Sequence, residues 1–283
     1  MNRVLVGDIG STSGDWALLS TQGSQYFSSS GFNPTAHQPS QFEGLAKTLL
    51  EQDCKDVIKI YYYGAGVNSQ ESRDVVNGLF EKVLPGAEVV VASDILGAAR
   101  AVCQDSAGVV AILGTGSNAC SYDGEQINAS AVNLGYLLAD EGGGYDIGKR
   151  LLRSYLYDQM PVHLAEKFKL MLPGGSAALV QHLYGHEAPN RFIASHAKFA
   201  IENRTDMYVK TIVRSAFQSF IHAHLIKYES LHKIHFVGSI ASYFCGELGE
   251  VLAEARLALG EVIQKPIEGL ANYHQRSKLW ETQ

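Results

Sequence analysis

A short apolar strand near the start of the chain runs into a turn of glycine, acidic and hydroxyl residues. The strand Val4–Val6 has no polar interruption, which is typical of a buried strand. Gly10 lets the backbone turn and lets a ligand approach it closely, while Ser11 and Thr12 offer hydroxyls and amides to a phosphate. Asp8 offers carboxylate oxygen to a hard cation or to its water shell. The pattern indicates either a phosphate and metal site or an ordinary β-hairpin with a polar turn.

A second turn of the same kind occurs about a hundred residues later, as expected of an internally duplicated fold. It follows the apolar run Val109–Leu113 and precedes another run that reads as a strand. Two such hairpins facing each other across a cleft would hold a nucleotide's phosphates through backbone amides and hydroxyls. The residues of this second turn are Gly114, Thr115, Gly116, Ser117 and Asn118.

A carboxylate that follows a later strand is a candidate for catalysis or for helix capping. Asp94 follows the apolar run Val89–Val91 and begins a predicted helix of small residues, Ile95–Ala99. Open α/β folds bind ligands at the carboxyl edge of the sheet, where this side chain would stand. It would accept a proton from a hydroxyl that attacks the γ-phosphate of a nucleotide. The alternative is structural, because Ser93 or Asp94 is also well suited to cap the helix.

A second acidic site precedes a run of three glycines. Asp140 and Glu141 stand directly before Gly142–Gly144, which indicates close approach of the backbone to a ligand. The alternative is a helix start, since the helix macrodipole also favours acidic residues there.

A glycine-serine pair follows a strand in the last part of the chain. Gly238 and Ser239 come after the apolar strand Ile234–Val237 and before a predicted helix. These small residues would let an adenine and a ribose lie against the backbone, although a simple strand-to-helix turn has the same pattern.

The order of predicted elements is that of a duplicated α/β fold. Three strands, then helix, strand, helix, strand and helix, fill the first part of the chain, which is the order of a ribonuclease-H-like unit. After the small, polar stretch Asp105–Gly108 three strands recur, followed by a mostly helical insertion over about residues 142–228. The chain is therefore predicted to form domains at 1–105 and 106–269, the second ending in a strand at 233–237, a helix near 240–259 and a strand near 261–264.

Composition excludes several function classes. The chain has 283 residues, enough for two domains, and its net charge of −6 argues against a nucleic-acid-binding protein. No basic and apolar leader pattern and no run of about 20 apolar residues is present, so neither secretion nor a membrane helix is expected. Four cysteines without paired spacing favour a reduced, cytoplasmic protein.

Five segments together resemble one known family. In chain order they are Asp8–Thr12, Ala92–Ala99, Gly114–Asn118, Leu134–Gly142 and Phe236–Ala241. The two glycine-hydroxyl turns resemble the phosphate loops of the actin, sugar-kinase and chaperone ATPase superfamily. The ordered set is most similar to N-acetylglucosamine kinases of the BadF/BadG/BcrA/BcrD type.

This resemblance implies a fold, cofactors and a reaction. The fold is α/β, with duplicated ribonuclease-H-like, actin-like ATPase domains, a cleft between them and a C-terminal helix, 270–283, that packs back on the first domain. The cofactors are ATP and Mg²⁺, and the reaction is phosphorylation of the 6-hydroxyl of N-acetylglucosamine or a close relative. The partners are thus a small-molecule sugar and ATP, with no nucleic acid and no membrane, and a homodimer is an open alternative for the assembly.

The resemblance also implies roles for individual residues. Asp94 would be the base for the 6-hydroxyl, and Asp8 would organise Mg²⁺ through water. The phosphates would lie at Gly10–Thr12 and Gly114–Ser117. The adenosine is expected at Gly238 and Ser239, and the sugar at Asp94, Asn33, Asn118, Asp140 and Glu141.

Three positions bear on the sugar pocket. Asn33 resembles a sugar-binding asparagine, although asparagine before proline is also a turn signal. Leu134 stands where the family often has tryptophan, and Tyr136 where it has histidine, which predicts weaker or broader selection among amino sugars.

Two other functions are compatible with the same fold. One is an ATPase activator of a dehydratase, which would need cysteines for an iron–sulfur cluster, and no cysteine pair with fitting placement is found. The other is a nucleotide-dependent sensor without sugar turnover, against which the carboxylates Asp94 and Asp140 argue.

Overall fold

The chain forms two compact units in the computed structural model, which describes residues 3–52, 54–131, 134–172, 174–185, 189–228 and 233–276. The first unit contains the described residues within 1–107, 122–127 and 265–283, and the second contains those within 108–121 and 128–264.

The first unit is built on a five-stranded mixed sheet of order β3-β2-β1-β4-β5. Strand β1 is antiparallel to β2 and parallel to β4, β2 is antiparallel to β3, and β4 is parallel to β5. The three parallel strands consequently end at one edge of the sheet. The strands are β1 (Arg3–Ile9), β2 (Ser13–Ser20), β3 (Gly23–Ser30), β4 (Val57–Gly64) and β5 (Glu88–Ser93).

Helices pack on this sheet around an aromatic core. Trp16 is fully buried, and it contacts the rings of Phe27, Tyr62 and Phe80. Helix α12 (Ile267–Arg276) packs against α3 (Asp94–Cys103) and β2. Residues 277–283 of the predicted C-terminal helix lie outside the described residues. The helices are α1 (Glu43–Glu51), α2 (Gln70–Val83), α3 (Asp94–Cys103) and α12 (Ile267–Arg276).

The sheet of the second unit repeats the order of the first. Its strand order is β10-β9-β6-β7-β8, with β6 parallel to β9 and β9 parallel to β10. The predicted α/β fold is confirmed, and the matching strand orders agree with an internal duplication. The strands are β6 (Gly108–Leu113), β7 (Ser117–Tyr122), β8 (Ile127–Ser130), β9 (Lys233–Val237) and β10 (Ala258–Ile263).

A helical insertion separates β8 from β9 and supplies much of the second core. Its last helix ends at Phe220 and continues into a π-helical turn, Ile221–Leu225. Phe220 and Ile221, on either side of this junction, are buried in the core. The helices are α4 (Gly144–Leu156), α5 (Val162–Lys169), α6 (Gly175–Gly185), α7 (Pro189–Ser195), α8 (Ala197–Glu202) and α9 (Met207–Phe220).

The helix predicted near 240–259 is wrong as a single element. It is divided into α10 (Ser239–Tyr243) and α11 (Cys245–Glu254), and β10 begins three residues before the predicted strand. Phe244 leaves helical geometry at the break and buries its ring near Phe217, so that packing overrides a continuous helical pattern. None of the helices in the described ranges is long and apolar enough to cross a bilayer.

Candidate functional site

Two carboxylates of the first unit stand at the carboxyl ends of its parallel strands. Asp8 is the second-last residue of β1, and Asp94 is the first residue of α3, directly after β5. In the strand register Asp8 is level with Tyr63 of β4, and Tyr63 is level with Ala92 of β5. Asp94 follows two residues beyond that level, so the two aspartates share one edge of the sheet.

The electrostatics of Asp8 favour a bound cation. Burial raises the pKa of Asp8 to about 7; the negative charges of Asp94 and Asp15 act in the same direction, and Lys265 opposes them. A cation beside Asp8 would remove this penalty by stabilising the ionised carboxylate. In the described ranges, no group of three or more His, Cys, Asp or Glu residues could hold a metal ion. A buried carboxylate such as Asp8 fits Mg²⁺, an ion that binds proteins through one or two carboxylates and keeps several of its waters.

A close helix–sheet contact holds Asp94 in place. A Cβ at Gly97 would lie 2.8 Å from the Cβ of Tyr63, so the glycine lets α3 approach β4 closely. Ser93 has the extended backbone of an N-cap residue, but its hydroxyl makes no capping bond. Asp94 Oδ1 instead accepts a hydrogen bond from the Ile95 amide at 2.8 Å. The Asp94 carboxylate therefore partly serves the start of the helix itself.

The first glycine-hydroxyl turn is held by its own backbone and by a neighbouring segment. The Gly10 amide donates to the Ser13 carbonyl at 2.9 Å, and the Gly31 amide donates to the Thr12 carbonyl at 3.0 Å. The side-chain amide of Asn33 donates to the Ser11 hydroxyl at 3.0 Å. Gly10 and Thr12 are exposed, so this turn presents backbone to solvent.

Asn33 is engaged in a local turn. Its Oδ1 accepts hydrogen bonds from the amide and the hydroxyl of Thr35, at 3.0 and 2.8 Å, which is the geometry of an asparagine-initiated turn. Together with the bond to Ser11, these contacts use both ends of the side-chain amide. Sugar binding by Asn33 stays a prediction, and it would need one of these bonds to be exchanged or shared.

The second glycine-hydroxyl turn is bound to the start of helix α4. The Gly114 amide donates within the turn to the Gly116 carbonyl at 3.0 Å. The amides of Gly144 and Tyr145 donate to the carbonyls of Gly114 and Thr115, both at 2.8 Å. Within the described part of the chain, the amides of Thr115 and Gly116 donate no hydrogen bond to a protein acceptor. Two adjacent amides are thus available to an anion.

Asp140 lies against this turn. Its Oδ1 accepts a hydrogen bond from the Ser117 amide at 3.0 Å, a contact that sequence reasoning did not anticipate. Burial raises the pKa of Asp140, while the Ser117 amide lowers it. The Ser117 hydroxyl is buried without a hydrogen-bond partner among the described residues, so it too could serve a ligand of this turn.

Polar contacts with residues of the helical insertion hold the next two residues, Glu141 and Gly142. His224, in the π-helical turn, contacts Glu141 with Nε2 and Oε2 3.1 Å apart. The Gly142 amide donates to Asp146, whose carboxylate pairs with Arg150 at 2.9 Å. No sequence motif indicated His224, because it meets Glu141 only when the insertion packs. Asp146 and Arg150 are four residues apart on α4, so their spacing as a helical ion pair was a signal in the sequence.

The Gly238–Ser239 turn packs directly on the start of the second glycine-hydroxyl turn. Gly238 has a φ of 122°, and a Cβ there would collide with the Leu113 carbonyl and lie 3.1 Å from the Gly114 amide. Its own amide donates to the Ile263 carbonyl at 2.9 Å. Glycine is therefore required here by backbone packing alone, and the adenosine site stays a prediction.

The remaining positions predicted to bear on the sugar are Asn118 and two residues of the loop before Asp140, Leu134 and Tyr136. Asn118 Oδ1 accepts a hydrogen bond from the Ala119 amide at 2.9 Å. In the loop before Asp140, Tyr136 packs edge-on against Tyr145, with ring centroids 5.4 Å apart. Leu134 is 53% exposed, so a ligand could contact it directly.

The chain resembles known protein structures over nearly its whole length. No protein-family model matches it. It is 34% identical to a proposed N-acetylglucosamine kinase from Porphyromonas gingivalis, whose structure matches with a TM-score of 0.91 over 98% of this chain and 100% of that one. A proposed N-acetylglucosamine kinase from Chromobacterium violaceum shares the fold at 16% identity, with a TM-score of 0.74 over 96% of this chain and 99% of that one.

One curated relative matches part of the chain. An N-acetylmuramic acid/N-acetylglucosamine kinase from Clostridium acetobutylicum is 27% identical over 114 residues, which are 40% of this chain and 37% of that protein. The match thus spans less than two-fifths of the relative's length. Because the identity to the Porphyromonas protein extends over nearly the whole of both chains, the chain belongs to the N-acetylglucosamine kinase family.

Proposed function

We propose that this protein is an ATP-dependent amino-sugar kinase that phosphorylates the 6-hydroxyl of N-acetylglucosamine or a close relative. The observation that carries the proposal is the acidic pair Asp8 and Asp94 at the carboxyl edge of the first sheet, with the pKa of Asp8 raised to about 7. Of two carboxylates at the same edge of a sheet, one can hold a cation and the other can accept a proton.

The residues of this chain would divide the reaction as follows. Asp94 accepts the proton of the 6-hydroxyl as that oxygen forms a bond to the γ-phosphorus, and the bond from γ-phosphorus to the bridging oxygen breaks to release ADP. Asp8 would hold Mg²⁺, which when bound would supply positive charge beside the phosphates. The backbone amides of Thr115 and Gly116 bind phosphate oxygens, and Gly10–Thr12 supply the matching turn of the first unit.

The substrates would be selected by the second acidic site and the loops around it. Asp140, Glu141 and Asn118 bind sugar hydroxyls, with Asn33 as a further candidate, and Gly238 and Ser239 receive the adenosine. The curated relative is named for N-acetylmuramic acid and N-acetylglucosamine, which supports an N-acetylated amino sugar as the acceptor. The exposed side chain of Leu134 supports a pocket that tolerates several substituents.

An ADP-release screen at fixed Mg-ATP tests this proposal. N-acetylglucosamine, N-acetylmuramic acid and glucosamine would be compared, with 6-deoxy-N-acetylglucosamine as the acceptor that lacks the reacting oxygen. We expect ADP release to require a sugar with a 6-hydroxyl. Asp94→Asn should fold, bind ATP and lose about 10²–10⁴ in rate, while Asp74→Asn, at an exposed position of α2, should match the parent.

Two outcomes would contradict the proposal. ADP release at the same rate with and without every sugar would favour an ATPase activator or sensor instead. Turnover by Asp94→Asn within a few-fold of the parent would remove Asp94 as the base.

A further inference from the structure

The carboxylate of Asp140 fills a space that Gly116 leaves beside the second phosphate turn. Oδ1 accepts the Ser117 amide at 3.0 Å. A Cβ at Gly116 would lie 2.5 Å from Oδ1 and 2.7 Å from Oδ2, so any other residue at 116 would displace the carboxylate. The sequence placed Gly116 in a turn expected to hold phosphates, and the structure shows that the space beside this glycine is filled by the Asp140 carboxylate.

The backbone around Asp140 is arranged to make this contact. Asp140 has a φ of 69°, a left-handed conformation that residues other than glycine rarely adopt and that persists only when the surroundings enforce it. Four and five residues later, the amides of Gly144 and Tyr145 donate to the carbonyls of Gly114 and Thr115, both at 2.8 Å. One side-chain bond and two backbone bonds therefore tie the acidic turn to the phosphate turn.

We propose that Asp140 is a positioning residue of the phosphate turn Gly114–Ser117, so that nucleotide affinity depends on a side chain predicted to bind only sugar. This inference rests on the proposed function, because it takes the turn to be the nucleotide's phosphate site. By accepting the Ser117 amide, Asp140 fixes the course of the turn and leaves the amides of Thr115 and Gly116 directed to a phosphate.

Shape and charge make different contributions, and two substitutions separate them. Asp140→Asn keeps an oxygen that can accept the Ser117 amide, and it removes a negative charge next to an anion site. Asp140→Ala removes the acceptor and leaves a space beside Gly116. If Asp140 acted on the sugar alone, neither substitution would change nucleotide affinity.

The test is calorimetric titration of the full-length protein with Mg-ADP in the absence of sugar. We expect Asp140→Ala to weaken Mg-ADP binding about tenfold, as for loss of a hydrogen bond to a charged group, and Asp140→Asn to bind within about threefold of the parent or more tightly. Asp74→Asn, at an exposed position of α2 outside the site, is the control for loss of a negative charge, and its Mg-ADP affinity should stay within about twofold of the parent.

A double-mutant cycle tests whether the contact itself is responsible. Gly116→Ala alone should weaken Mg-ADP binding about tenfold, because its methyl group displaces the carboxylate. In the Asp140→Ala background the same methyl group enters the vacated space, so Gly116→Ala should add less than about a twofold loss. Circular dichroism would establish that each variant is folded.

The outcomes are distinct. If Asp140→Ala and Asp140→Asn both bind Mg-ADP like the parent but no longer bind sugar, the positioning role is overturned and the proposed kinase function stands. If the two losses in the cycle multiply, the contact is not the cause and the inference is also overturned. If the parent binds sugar but no Mg-ADP, the proposed function fails together with the inference.

Discussion

Asp8→Asn should stabilise the folded protein at neutral and alkaline pH while it abolishes turnover. The pKa of Asp8 is raised from 3.8 to about 7 by burial and by the charges of Asp94 and Asp15. Between these two values the folded chain holds a proton that the unfolded chain has lost. The free energy of unfolding therefore decreases as the pH rises from about 4 to about 7, and it reaches its full loss above pH 7.

The magnitude follows from the shift of the pKa. A difference of about three pKa units corresponds to about 4 kcal/mol at most, since one unit is about 1.4 kcal/mol. An asparagine at position 8 carries no charge at any pH, so it escapes this penalty. Between pH 5 and pH 8 the parent should lose about 2–3 kcal/mol relative to the variant, because about two pKa units of the penalty develop in that range.

Urea denaturation at pH 5 and pH 8 measures this difference. Asp74→Asn, at an exposed position of α2, is the control for loss of a negative charge and should shift stability by less than about 0.5 kcal/mol at both pH values. Mg²⁺ should stabilise the parent at pH 8 and leave Asp8→Asn unchanged, since the ion acts through the ionised carboxylate. A stability difference between parent and Asp8→Asn that does not change with pH would refute the reasoning.

Three further predictions concern stability. Burial lowers the pKa of His274 to about 3, so the unfolded chain takes up a proton on this histidine at a higher pH than the folded chain does. The free energy of unfolding of the parent should therefore fall by up to about 2 kcal/mol between pH 6.5 and pH 5. Urea titrations at the two pH values should show that His274→Phe lacks this decrease. In thermal melts, Gly238→Ala should lower the free energy of unfolding by about 2 kcal/mol or more, because its Cβ would collide with backbone at a φ of 122°. Gly246→Ala is the control, since its Cβ would meet open space, and it should be neutral or stabilising. Arg150→Met should lower the free energy of unfolding by about 2–4 kcal/mol, because it leaves the buried carboxylate of Asp146 without its ion-pair partner. If adding Asp146→Asn restores part of this stability, the unpaired charge is the cause.

Local patterns were sufficient for the elements whose signal lies within a few residues. The apolar runs before Asp8 and before Gly114 are strands, and the small residues after Asp94 form a helix packed on β4. These patterns are reliable because strand burial and helix packing select residue types at short, regular spacing. The same reasoning failed at Phe244, where a contact with a distant helix divides a segment that looks continuous in sequence.

Glycine positions show the difference between finding a residue and explaining it. From the sequence, Gly238 was expected to let a nucleotide lie against the backbone, and Gly116 was placed in a turn expected to hold phosphates. The structure gives each a partner within the protein, since Gly116 borders the Asp140 carboxylate and Gly238 borders the end of β6. A missing side chain indicates that something is close, but only the fold identifies what it is.

The sequence by itself determined the α/β class, the duplicated order of strands and the two glycine-hydroxyl turns, because each depends on residue types that are adjacent or regularly spaced. Only the tertiary structure decided which charges and polar groups share an environment. Asp8 is destabilised by Asp94 across the sheet edge, Asp140 reaches Ser117 over a separation of 23 residues, and Glu141 reaches His224 over 83. These contacts depend on how distant segments pack, and electrostatic energies depend on distance and burial in space, which spacing along a chain does not contain.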